Sequence, residues 1–224
     1  METKQRVPWT ERATSRYGIV LVLLLATFMF LAAGFTSPWA RLLTVALQAL
    51  TLLAAVAAAQ VPLRLQWLAR LVALLSVAAA SAAIQLGGRT GNTASAVLSG
   101  ALVAFAPIAI ATSIVRRRVV DARTVLAALC IYVLLGLLWA FVYTTIGTAG
   151  TQPFFAEHAH ATTSDYVYFS FITLTTVGYG DLTAAGDLGR ACAALEALVG
   201  QVYLVTVVAL LVSNLGRGRE PQRR

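Results

Sequence analysis

Residues 164–181 read SDYVYFSFITLTTVGYGD, a short apolar segment that runs into a loop with two glycines. The serine and aspartate at 164–165 are residue types that favour a helix N-cap. The apolar part, 166–175, is too short to cross a bilayer, because a spanning helix needs about 20 residues. Longer apolar stretches lie on both sides of it, at 124–146 and 191–215. A short apolar helix between two full-length ones predicts a re-entrant helix followed by a loop.

The rest of the chain has the composition of a membrane protein. Apolar residues make up 59% of the 224 residues and charged residues only 12%, whereas soluble domains carry about 25% charged residues. Five windows contain no charged side chain: 17–40, 42–63, 71–88, 90–115 and 124–156. A sixth, 191–215, contains only Glu196. We therefore predict an all-α membrane protein with six transmembrane helices and a re-entrant helix and loop between helices five and six. The six predicted helices cover 17–35, 42–61, 66–86, 93–115, 124–146 and 191–215.

The net charge of +8 is distributed unevenly along the chain. With a cytoplasmic N-terminus, only Arg41, Arg89 and Arg190 of the 17 lysines and arginines fall outside. Cytoplasmic loops of membrane proteins are enriched in these residues, so the basic balance indicates topology, and we expect no nucleic-acid partner. The prediction is a multi-pass protein of the cell membrane, surrounded by lipid, with both termini cytoplasmic. Residues 19–33 also fit the apolar region of a signal peptide, which leaves open whether helix one is cleaved.

The predicted helices divide the chain into a few regions. They are a cytoplasmic N-terminal arm at 1–16, a four-helix transmembrane region at 17–115, a second transmembrane region at 124–215 and a short basic cytoplasmic tail at 216–224. Composition predicts a turn at 87–92, and a short basic linker occupies 116–123. Pro107 predicts a kink in helix four.

The loop at 176–180 would place irregular backbone at membrane depth. Such backbone is tolerated only where it is buried in protein or lines a water-filled path. Gly178 and Gly180 permit backbone angles that are closed to other residues, so successive carbonyls can face one axis. Carbonyl oxygens arranged in this way can replace the hydration shell of a cation. The loop is therefore a candidate ion-binding element.

Residues 175–181, TTVGYGD, resemble the selectivity filter of the potassium-channel pore family, and the resemblance covers about 124–215. It implies a potassium-selective channel that conducts K⁺ passively, with K⁺ as the permeant ion and no cofactor. One chain supplies only one side of an ion path, so several copies are needed, and the resemblance implies a homotetramer. The residues that it assigns to K⁺ are Thr176, Val177, Gly178, Tyr179 and Gly180.

Further residues are carried over from the family by position. Tyr168 lies where many members have a tryptophan that bonds to the aspartate after the filter, here Asp181, and Thr175 directly precedes the filter. The resemblance implies that these three residues support the filter. Gly200 is either a hinge in the last helix or a small packing residue. Ile172 stands where some members have a buried carboxylate, so this chain lacks that carboxylate. A stripe at helical spacing either lines the cavity below the filter or is ordinary packing: Gln201, Leu204, Val208 and Val212.

We expect a channel that is not steeply voltage-gated. Steep gating takes roughly 3–4 moving basic charges in each subunit, whereas 93–115 carries none. The three arginines at 116–118 are consecutive, so on a helix they would fan around the axis and form no stripe. Residues 17–115 therefore have no recognisable voltage sensor, and the gating stimulus is left open.

Three further ionisable residues lie in or near the second transmembrane region. Glu196 is predicted to make a structural bond to the re-entrant helix, although an intramembrane acid is by default a functional hypothesis. His158 and His160 either sense external pH or have no such role.

The GYGD string at 178–181 also matches intramembrane aspartyl proteases. That chemistry needs two carboxylates, and none of the six predicted transmembrane helices contains an aspartate. The complete string at 176–180 disfavours a non-conducting partner subunit and a non-selective cation channel.

Overall fold

The computed structural model describes residues 9–35, 37–59, 61–86, 88–115 and 122–215. All regular elements in these ranges are α-helices, which confirms the predicted all-α class. They are α1 (Trp9–Ala32), α2 (Pro38–Ala59), α3 (Leu63–Leu86), α4 (Gly88–Val115), α5 (Ala122–Ala149), α6 (Thr163–Leu174) and α7 (Asp187–Leu215).

Three helices of the described residues are long and apolar enough to cross a membrane. The qualifying stretches are Leu42–Ala59 of α2, Thr124–Ala149 of α5 and Asp187–Val207 of α7. Shorter apolar stretches lie in α1, at Arg16–Ala32, and in α4, at Ser99–Ala111. These lengths indicate a membrane protein, and the count of six spanning helices stays a prediction.

The first five helices share one apolar core. α4 packs along α5, α2 packs against α1, α3 and α4, and α1 packs against both α5 and α6. Leu24 of α1, Leu52 of α2, Leu102 of α4 and Leu134 of α5 are almost completely buried in it. Alanines fill much of the remaining core, and such small residues let helices approach closely. The four-helix region is thus joined to the rest of the protein along α5 and, through α1, at α6.

Most helix boundaries differ from those predicted, and two of the differences change a predicted region. α1 begins at Trp9, inside the arm predicted for 1–16, and no helix-breaking residue stands between Trp9 and Gly18. α4 begins at Gly88, so the turn predicted at 87–92 is wrong for the residues from Gly88 onward. Local propensities are weak and are often overridden by context, and here α4 continues through the glycines and the asparagine.

The predicted kink, linker and C-terminal tail can be compared with the structure only in part. Pro107 lies inside α4, and the kink there stays a prediction. α5 begins at Ala122, so the last two residues of the predicted linker are helical. The rest of that linker, at 116–121, and the tail at 216–224 lie outside the described residues.

Candidate functional site

The short apolar helix predicted from the sequence is α6, whose N-cap is Thr162. The prediction of the cap at 164–165 is therefore wrong. The Asp165 carboxylate accepts from the Thr162 backbone N–H at 2.7 Å, and the Thr162 hydroxyl oxygen accepts from the Asp165 N–H at 3.4 Å. This reciprocal pair is a capping box, which satisfies two backbone donors at the start of the helix. Ser164 lies inside the first turn instead.

The loop after α6 is hydrogen-bonded back to the end of that helix. The Thr176 N–H donates to the Thr173 carbonyl at 2.9 Å. The N–H groups of Val177 and Gly178 both donate to the Ile172 carbonyl, at 2.9 and 3.1 Å. Because these N–H groups point back toward α6, the carbonyl groups of the loop are free to point away from it. Ile172 therefore holds the loop through its backbone carbonyl, and its apolar side chain provides no carboxylate.

Every second residue of the loop has a left-handed backbone. The φ angles are 59° at Thr176, 51° at Gly178 and 79° at Gly180. Glycine adopts this region readily, whereas a threonine there is uncommon and indicates a conformation imposed by its surroundings. Alternation between positive and negative φ along a chain can bring successive carbonyls to the same side. The backbone from 176 to 180 can therefore present a row of oxygens to an ion path.

Two of the three predicted filter-support residues bond to each other. The Tyr168 hydroxyl donates to Asp181 Oδ2 at 2.8 Å. This bond connects the middle of α6 with the residue that follows the glycine loop, so it bridges the two sides of that loop. Thr175, the C-cap of α6, donates its hydroxyl to the Phe171 carbonyl at 2.6 Å. Its side chain therefore bonds within α6 and does not reach the other two.

Glu196 of α7 lies completely buried behind α6. Its carboxylate accepts from the Ser170 hydroxyl of α6 at 2.6 Å and from the Tyr143 hydroxyl of α5 at 2.5 Å. Ser170 also lies 2.7 Å from the Gly136 carbonyl of α5, and its single hydroxyl proton can serve only one of the two acceptors at a time. These bonds join three helices at one point. The contact predicted between Glu196 and the re-entrant helix is present, whereas Tyr143 was not anticipated.

Gly200 faces the C-terminal end of α6. A Cβ at this position would overlap the Leu174 carbonyl oxygen and would lie 2.8 Å from Leu174 Cδ1. This close approach favours the packing interpretation of Gly200, and a hinge stays a prediction. The Leu174 carbonyl also accepts from the Tyr132 hydroxyl at 3.3 Å. Helices α5 and α7 therefore both contact the end of α6 from which the loop departs.

The stripe predicted to line a cavity is partly described. Gln201 and Leu204 are exposed on α7 in the single chain, as cavity-lining residues would be. Val208 and Val212 belong to α7, but their side chains lie outside the described residues. A cavity role for the stripe stays a prediction.

The outer segment before α6 is attached to the segment after the loop. Phe155 and Ala184 form an antiparallel bridge. The Glu157 carboxylate accepts from the Thr183 hydroxyl at 2.6 Å and from the Thr183 N–H at 2.9 Å. These two bonds, the hydroxyl one first, hold the pKa of Glu157 below its ordinary value. His158, the neighbour of Glu157, is exposed and ring-packed on Phe155.

α1 also contacts the candidate site directly. The Ser164 hydroxyl of α6 donates to the Ala32 carbonyl at the end of α1, at 2.8 Å. The rings of Phe28 and Phe171 have centroids 4.5 Å apart. Neither contact has a signal in the sequence, because the partners lie more than a hundred residues apart. A resemblance limited to 124–215 could not have found them.

The comparisons with known proteins identify the type of site. Residues 131–217 match a family model described as "Ion channel". A search of curated proteins and a search of solved structures returned no match to the chain. The matched residues contain α6, the alternating loop, and all of α7. They therefore carry an ion-channel module of the potassium-channel pore type, as the resemblance of residues 175–181 predicted.

Proposed function

We propose that this protein is a potassium-selective channel that conducts K⁺ passively through a homotetrameric pore in the cell membrane. The observation that carries the proposal is the alternating backbone at Thr176, Gly178 and Gly180. K⁺ is selected when filter carbonyls substitute for its hydration shell, and this requires oxygens in consecutive layers facing one axis. The alternation of φ supports such a row, because it allows one chain to turn successive carbonyls to the same side.

Assembly with further copies is supported by the surfaces that a single chain leaves uncovered. Val177 is 52% exposed and Tyr179 74% exposed in the single chain, although both belong to the element that must enclose an ion. Only 11% of the apolar Asp187–Val207 stretch of α7 is buried. An open groove of about 450 Å³ runs along the same helix, lined by Leu198, Val199, Val202, Tyr203 and Thr206. Closed homo-oligomers bury such faces symmetrically, and four copies would complete a ring of carbonyls.

Shallow voltage dependence follows from the charges of α4. Moving one charge through the field supplies about 2.3 kcal/mol per 100 mV. The only arginine of α4 is Arg89, in its first turn, and the next arginines are those at 116–118. Such a helix has no row of charges to move. A conductance–voltage relation over about ±100 mV should therefore be shallow, and a slope that requires about ten or more charges per tetramer would contradict the proposal.

Reconstitution of the purified protein alone tests the conduction proposal. Planar-bilayer recordings in opposed potassium and sodium gradients should give reversal potentials near the potassium equilibrium potential. A reversal potential that follows sodium equally would contradict selectivity, and a silent but folded tetramer would favour a non-conducting partner subunit.

A matched pair of glycine variants tests which residues form the filter. Gly178 and Gly186 both have open space where a Cβ would be added, but only Gly178 has a positive φ, of 51°. Gly178→Ala should abolish or derange selective conduction, because a methyl group opposes the required backbone angle. Gly186→Ala should leave selectivity unchanged. Equal behaviour of the two variants would refute the assignment of the loop.

A further inference from the structure

A small cavity with a few polar groups lies between α1, α2, α4 and α5. Its volume, counted as the space open to the centre of a water molecule, is about 10 Å³. The lining residues come from four helices: Leu24, Thr27, Gln48, Thr51, Leu52, Leu102, Val103, Ala106, Leu134 and Leu137. α4 and α5 contribute only apolar walls, whereas α1 contributes Thr27 and α2 contributes Gln48 and Thr51.

Gln48 brings hydrogen-bonding groups into this cavity that none of the described residues satisfies. Its side chain is 4% exposed, and neither Nε2 nor Oε1 has a hydrogen-bond partner among the described residues. A buried amide without partners is costly, and lipid provides none. Most buried polar groups in proteins therefore bond to a neighbouring group or to ordered water.

The two threonines complete a set of partners for one small molecule. Thr27 donates its hydroxyl to the Leu23 carbonyl at 2.8 Å, and Thr51 donates to the Leu47 carbonyl at 2.7 Å. Their protons are thus used within their own helices, and their oxygens keep free lone pairs. Gln48 and Thr51 are three residues apart and share one face of α2. The cavity therefore offers amide donors from Gln48 together with three acceptor oxygens.

We propose that this cavity is a binding site for one water molecule, which bridges α1 and α2 beside α5. The water accepts from Gln48 Nε2 of α2 and donates to the Thr27 oxygen of α1, with Gln48 Oε1 as a further acceptor. A buried water typically makes about three hydrogen bonds and needs roughly 10–15 Å³ of this kind of volume. The cavity, at about 10 Å³, is at the lower end of that range, and its lining offers enough donors and acceptors for three bonds. A cation fits less well, because no lining residue carries a negative charge to compensate it.

Electron cryomicroscopy of the tetramer in lipid nanodiscs tests the proposal, at a resolution that shows ordered water elsewhere in the same map. The expected result is one density peak within about 3.2 Å of the Gln48 amide and of a threonine oxygen. Gln48→Leu should remove the peak, whereas Gln152→Leu, the same change at an exposed loop position, should leave it unchanged. No peak in the parent protein, or a peak that persists in Gln48→Leu, would overturn the proposal.

Two further measurements keep the test decisive. If Gln48→Leu does not assemble, Thr27→Val, which removes the partner oxygen on α1, should lower the height of the peak, and an unchanged height would refute the bridging role. The thermal midpoint of the purified tetramer provides the second measurement. Replacing an unsatisfied amide by leucine would raise the midpoint, whereas replacing a water-bridged amide should not. A clear rise for Gln48→Leu over Gln152→Leu would therefore contradict the water site.

Discussion

Replacing Glu196 by leucine should loosen the attachment of α6 to the helices around it. The side chain of Tyr143 is completely buried, and its hydroxyl donates to Glu196 Oε2. In Glu196→Leu that hydroxyl has lost its acceptor, whereas Ser170 can still donate to the Gly136 carbonyl at 2.7 Å. One buried unsatisfied hydroxyl costs about 1–3 kcal/mol. The equilibrium between the intact and the disrupted site should shift about 5- to 140-fold toward disruption.

Glu196→Gln is the matched control for this change. A glutamine carbonyl can accept from Tyr143, and its amide can donate to the Ser170 oxygen, so both contacts are kept at the same side-chain length. Single-channel recordings should show briefer openings or faster inactivation for Glu196→Leu and nearly parental openings for Glu196→Gln. Thermal unfolding of the tetramer should give the same order. If leucine and glutamine behave alike, the hydroxyl contacts do not hold α6 in place.

Three further perturbations test other contacts of the site. Tyr168→Phe removes the donor to Asp181 and should shorten openings or speed inactivation; recordings identical to the parent would leave Tyr168 as a packing residue. Gly200→Ala places a methyl group against the end of α6, and such overpacking should cost about 1–3 kcal/mol; an unchanged thermal midpoint would mean that α7 moves away freely. The bonds from Thr183 lower the pKa of Glu157. Their contribution to the stability of the outer segment is complete above the ordinary glutamate pKa of about 4.3. It is lost as external pH falls through the lowered pKa. Parent channels should therefore inactivate faster in strong external acid, an effect absent in Glu157→Gln, and equal pH profiles would contradict this role.

The sequence alone determined those features that depend on neighbouring residues. The apolar length of 166–175 predicted a helix too short to span, and α6 has that character. Glycines at 178 and 180 predicted an unusual loop backbone, because only glycine enters the left-handed region freely. The spacing of uncharged stretches predicted the order of the helices. Each of these inferences rests on a property that a segment keeps whatever it packs against.

Only the tertiary structure decided the features that depend on distant partners. Three consecutive hydroxyl residues, 162–164, can each cap a helix, and Thr162 does so while Ser164 bonds to Ala32 of α1. Glu196 was recognisable as an intramembrane acid, but its second donor comes from α5, 53 positions earlier in the chain. Gln48 reads in the sequence as an ordinary polar interruption of an apolar helix. Its significance depends on four helices enclosing it without a partner, and such enclosure is a property of packing in three dimensions.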